Sequence, residues 1–141
     1  MKKLALLLLA FIVFTACSLD EDETIPFHVE FMPVESVDMP ESFSPGVTYK
    51  IALKYRRPTD CHSFQGFTTE TAGLTQTVAI QDLVIDNSGC VAVNAIDADI
   101  VYYDFTCGYG NTDEPYVFKF YKGDDAAGNK QFLEMKVPVK L

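Results

Sequence analysis

Strict alternation of apolar and polar side chains constrains this chain more than any other feature. From Val47 to Arg56 the apolar residues Val47, Tyr49, Ile51, Leu53 and Tyr55 stand at every second position, and the residues between them are small, polar or basic. A period of two puts the first set on one face of an extended strand and the second on the other. A helix, turning once in ~3.6 residues, would scatter both sets around its axis. The pattern returns in Leu133, Met135, Val137, Val139 and Leu141, in Val101, Tyr103, Phe105 and Cys107, and in Tyr116, Phe118 and Phe120. Phe27, Val29 and Phe31 form a further row, expected to point inward, with His28 on the exposed side. Residues 77–85 are more uniformly apolar, as a central strand requires.

Turn chemistry punctuates these runs: Ser44-Pro45-Gly46, Arg57-Pro58-Thr59-Asp60, Gly108-Tyr109-Gly110-Asn111 and the segment from Gly123 to Asn129. About seven strands are predicted, near 27–37, 47–57, 61–69, 76–86, 99–107, 115–122 and 131–140, the last two as a long hairpin. Short strands at this spacing predict an all-β fold, an immunoglobulin-like β-sandwich of antiparallel strands. The chain has no Trp, so Phe and Tyr must fill the core.

A separate leader precedes the strands. Met1-Lys2-Lys3 is followed by the apolar run Leu4 to Phe14, the small pair Thr15-Ala16, and Cys17. The run is too short to span a bilayer, which takes about 20 residues, and its order is that of a cleaved signal, residues 1–16. Phe14-Thr15-Ala16-Cys17 resembles the lipobox of bacterial lipoproteins. That resemblance implies cleavage before Cys17 and acylation of its thiol, with the lipid bilayer as a partner. Each buried methylene of an acyl chain contributes about 0.8 kcal/mol, so two or three chains hold a domain almost permanently. The acidic run Ser18-Leu19-Asp20-Glu21-Asp22-Glu23 resembles the export signal of Bacteroidetes-type surface lipoproteins, which implies the outer face of the outer membrane. As a block of like charge it is also a solvated tether, residues 17–26, ahead of one domain at 27–141. Residues Met32 to Lys54 and Arg56 to His62 are similar to small lipoproteins of the same bacterial group, a resemblance that implies no activity.

The formal charge of the whole chain is −9, and loss of Lys2 and Lys3 with the leader makes it more negative. Nucleic acid is excluded as a partner, because its binding relies on Lys and Arg at phosphates. Adhesion to an anionic lipid surface by charge is excluded for the same reason.

With Cys17 assigned to lipid, Cys61, Cys90 and Cys107 remain in an oxidising compartment, enough for one bridge and one free thiol. Cys107 shares an apolar strand face and suits a small buried hydrophobe. Cys90 follows the turn Asp86-Asn87-Ser88-Gly89. Cys61–Cys90 is the favoured bridge, contributing roughly 3–4 kcal/mol by constraining the unfolded chain. Cys61–Cys107 is the alternative.

Chemistry-bearing motifs are sparse. Cys61-His62 is not a nucleophile pair, because sequence neighbours on a strand point to opposite faces. Cys61, His62, Cys90 and Cys107 lack the paired short spacings of structural zinc sites. Asp97, Asp99, Asp104, Asp113, Glu114, Asp124 and Asp125 supply oxygens suited to calcium, but none matches a known calcium loop, and turns use Asp without an ion. Two histidines and no nucleophile elbow leave no serine triad. No catalytic residue, metal or cofactor is assigned. Tyr102, Tyr109 and Tyr121 are the candidate ligand-binding residues by position. The expected function is a non-catalytic, membrane-anchored binding or structural module, with an unidentified protein or glycan as partner. The alternatives are a glycan-binding accessory lipoprotein of a polysaccharide-uptake system and, behind it, a small hydrolase.

Overall fold

The computed structural model describes residues 25–87, 89–94, 98–110 and 114–140. Among these residues eight strands follow one another: β1 (Phe27–Met32), β2 (Val34–Asp38), β3 (Thr48–Tyr55), β4 (His62–Ala72), β5 (Thr75–Ile85), β6 (Asp99–Thr106), β7 (Tyr116–Asp124) and β8 (Lys130–Val137). They form two sheets, one of five strands (β1, β4, β5, β7, β8) and one of three (β2, β3, β6). The sheets face each other as a β-sandwich.

The inner faces are the alternating rows. Ile51, Leu53 and Tyr55 on β3 and Phe105 on β6 meet Val78 and Ile80 on β5 and Phe118 and Phe120 on β7, all buried. Rings carry much of this contact: Phe105 lies 5.0 Å from both Tyr116 and Phe118, edge-on in each case. Such edge contacts suit the ring quadrupole and add about 0.5–1.5 kcal/mol to the burial of area. Phe43, in the loop before β3, closes this end. It is fully buried against Tyr49, Phe105, Tyr116 and Phe118. Its backbone bridges to Val139 beyond β8.

β5 is the central strand. β4 lies along one edge as a hairpin whose two-residue turn is Gly73-Leu74, with Gly73 at a φ of 62°. A positive φ at the first turn position alone is the type II′ arrangement, which needs glycine there. The other edge of β5 is shared. β1 pairs with residues 80–85 of β5, and β7 pairs with residues 75–78.

Three expectations are corrected here. Residues 27–37 do not form one strand: Pro33, which has no N–H to give a ladder, separates β1 in the five-stranded sheet from β2 in the three-stranded one. The strands are not all antiparallel, since β5 and β7 run parallel. Finally, Phe27, Val29 and Phe31 point outward. They stand opposite Ile85, Leu83 and Gln81, on the face away from the buried positions Val84, Asp82 and Ile80. His28, Glu30 and Met32 take the opposite face of β1, where Met32 is buried while His28, as expected, and Glu30 remain exposed. Alternation defines two faces but does not label them, and here the polar face has hydrogen-bond partners on neighbouring segments.

Those partners form a polar end to the sandwich. Glu30 lies between the two histidines of the chain, accepting from or facing His28 Nε2 at 3.0 Å and His62 Nε2 at 3.3 Å. His28 Nδ1 is 2.8 Å from Asp86, and His62 Nδ1 is 2.8 Å from Thr59 Oγ1. Asp82 is fully buried beside them and accepts a hydrogen bond from Tyr55 Oη at 3.0 Å. Arg57, from the end of β3, holds Asp99 at the start of β6 at 2.8 Å. The disulfide joins Cys61 to Cys90 at this same end. Cys107 is the buried free thiol, so the alternative bridge does not form.

Candidate functional site

The outer face of the five-stranded sheet holds a shallow groove of about 190 Å³. It crosses every strand of that sheet. Phe31 comes from β1, Thr68 and Glu70 from β4, Thr77 and Ala79 from β5, Tyr121 from β7, and Lys130 and Phe132 from β8. The registers bring these residues together. Thr68 pairs with Ala79, Glu70 with Thr77, and Tyr121 with Phe132. Residues directly opposite one another in a sheet share a face, so the groove needs no side chain from the core.

Three rings form its apolar part. Tyr121 sits between Phe31 and Phe132, its ring centre 6.1 Å from the first and 6.4 Å from the second, both near edge-on. Tyr121 is buried at the base, whereas Phe31 and Phe132 are each 39% exposed. A break in register after Tyr121 turns the end of β7. There the phenol donates to Asp124 at 3.0 Å. Burial pushes the Tyr121 phenol above its ordinary pKa, and the Asp124 hydrogen bond pushes it further the same way. The ring is therefore a neutral donor over the whole physiological range. Lys130 lies over the Phe31 ring at 5.3 Å, a cation–π contact. The groove thus offers aromatic faces, the hydroxyls of Thr68 and Thr77, one cation and one carboxylate. That set can stack on and hydrogen-bond a ligand.

The structure separates the three tyrosines singled out in the sequence. Tyr121 is in the groove. Tyr102 projects from β6 on the outer side of the three-stranded sheet, 59% exposed. Tyr109 is 86% exposed in the turn after β6. Its ring lies across Gly46, which has a φ of +75° and where a Cβ would collide with the phenol. Phe31, Phe132 and Lys130 were missed by sequence reasoning. The signal for Phe132 was present in the hairpin register with Tyr121. The signal for Phe31 was masked by the assumption that an apolar row faces inward.

The remaining chemical candidates have structural duties. Cys61 is in the disulfide, and His62 is buried between Thr59 and Glu30. Among the described residues, possible metal-ligand atoms converge at Asp60, Cys61 and Cys90, where both sulfurs belong to the disulfide. Asp104 pairs with Lys50, and Asp99 with Arg57. Asp125 is tied into the β7–β8 turn by the Asn129 and Ala127 N–H groups, and those bonds, Asn129 first, hold its carboxyl below its ordinary pKa. Asp97, Asp113, Cys17 and the acidic tether up to Thr24 lie outside the described residues. Comparison with known families, characterised proteins and solved structures finds no match for this chain.

Proposed function

We propose that this protein is an exported lipoprotein, held through acylated Cys17 at the bacterial outer membrane and facing outward, whose single sandwich works by binding and not by catalysis. The groove around Tyr121 carries the binding part of this reading, because it places three rings and a mixed set of polar groups on a solvent-facing sheet. The leader, with its basic start, short apolar run and Cys17, supports the anchoring part. Eight strands in two facing sheets support the immunoglobulin-like form of the sandwich.

Growth with an alkyne analogue of palmitate tests the anchor. Label should appear on the intact protein and vanish in Cys17→Ala. An unlabelled wild-type protein of full mature size would overturn it.

One observation favours the glycan alternative. Ring faces beside the hydroxyls of Thr68 and Thr77 suit the apolar faces and hydroxyl edges of sugar rings. A glycan array probed with the purified protein checks this. Tyr121→Ala should lower any signal at least tenfold, and Tyr102→Ala should leave it unchanged. Equal loss from both variants would place the ligand elsewhere.

A further inference from the structure

The outer face of the five-stranded sheet divides into two halves of different character. Toward the start of β1 the outward residues are Phe27, Val29, Ile85 and Leu83, with Ser63 and Gly66 beside them on β4. None is charged. Phe27 is 64% exposed and Val29 44% exposed, a clustering of large apolar side chains that isolated surface residues do not produce. Asp86, at the rim of this half, is turned to the inner side by His28. Toward the other end the outward residues are Glu70, Lys119, Glu134 and Lys136, with Lys119 and Glu134 paired at 3.9 Å. The groove marks the boundary between the halves.

The apolar half lies where the chain enters the domain. Only eight peptide steps separate Cys17 from Ile25, so an extended chain reaches about 29 Å at most. Ile25 itself is 64% exposed. The uncharged end of the sheet is therefore kept within that reach of whatever holds Cys17.

We infer that the Phe27–Val29–Ile85 half of the outer face rests on the lipid bilayer in which the protein is anchored, as a second, apolar contact beside the acyl chains. This rests on the anchoring reading above. The contact needs no basic residues, because the outward side chains that would meet lipid carry no charge. A weak apolar contact becomes effective here because the tether supplies a high local concentration. With the bilayer against Phe27, Phe132 stands at the edge of the contact and the groove stays open to ligands.

The absence of Trp makes the test direct. Full-length protein, purified with its native lipid, is reconstituted into phosphatidylcholine vesicles as Phe27→Trp or as Phe132→Trp, with acylation read from the mass of the N-terminal peptide. Brominated phosphatidylcholine should lower Phe27→Trp emission about twofold, as expected for a ring immersed in the acyl boundary, and should leave Phe132→Trp nearly unchanged. Acylated Phe27→Trp protein that is indifferent to bromine would overturn the inference while leaving the anchor intact. A blue shift that follows protein concentration without bromine quenching would assign the face to a second copy of the chain instead. An unacylated N-terminal peptide would remove the anchoring reading, and this inference with it.

Discussion

The two ends of the sandwich are built on different physics. Around Phe43 the rings of Phe105, Tyr116 and Phe118 bury apolar area and involve no charged group. Around Asp82, polar groups pair with one another: Tyr55 with Asp82, both histidines with Glu30, Arg57 with Asp99. The ring-packed end depends on shape, so volume changes hurt it and pH does not. The polar end depends on pairing, so it tolerates smaller side chains only when the partner remains satisfied.

Substitutions at the two ends sharpen that contrast. Phe118→Ala should have the largest effect, a loss of about 3–5 kcal/mol by chemical denaturation, equal at pH 6 and pH 8. A loss that varied with pH would mean the two ends are coupled. Next, Cys90→Ser should cost about 3–4 kcal/mol by freeing the unfolded chain. Reducing agent should then have no further effect on the variant.

Asp82 gives a finer division. Its Oδ2 is buried without a hydrogen-bond partner, and desolvation raises its pKa above the ordinary 3.8. A raised folded-state value means that its contribution is fully present below pH 3.8 and is lost as pH rises through that value. Asp82→Ala should cost about 1–3 kcal/mol by stranding the Tyr55 hydroxyl. Asp82→Asn keeps an acceptor for that hydroxyl without a charge, and should match or exceed the wild-type melting temperature at pH 8. If Asn is as damaging as Ala, the carboxylate itself is needed.

The smallest effect concerns His28. Hydrogen bonds to Glu30 and then Asp86 raise its pKa above 6.5, while the bond to His28 lowers that of Glu30 below 4.5. The His28 contribution is present below pH 6.5 and fades as pH rises through the folded value. The Glu30 contribution is present above pH 4.5 and fades as pH falls through its folded value. The pairing is strongest between those limits. Melting temperature should decline slightly from pH 6 to pH 8, and His28→Gln should flatten that slope. An unchanged slope would mean that the His28 pairing does not set it.

The same contrast explains what could be read in advance. Rows whose alternate residues are all apolar on one side and exposed on the other, as in β3, β6 and β7, announced their inner faces, and the Cys61–Cys90 bridge followed from Cys107 lying on such a row. β1 alternates just as cleanly, but its inner face is polar because His62, Asp82 and Asp86 wait across the ladder. That information sits in other strands. The parallel pairing of β5 with β7 was hidden for the same reason, since no local signal relates segments 40 residues apart. Phe43 lay outside any alternating run, yet it is the centre of the ring cluster. Tyr121 could be named from its position, but the groove around it depends on registers of five strands.

The exit of the chain through β1 has a mechanical consequence. Ladder hydrogen bonds stand perpendicular to the strand, so a pull on the N-terminal end along the axis of β1 loads all six of its residue pairs with β5 together. Such a strand slides only when the whole ladder fails, whereas one peeled sideways opens bond by bond. Past Met32 the force would meet the crossing at Pro33 and pass into the other sheet, so a load applied at the N-terminal end is shared by both layers.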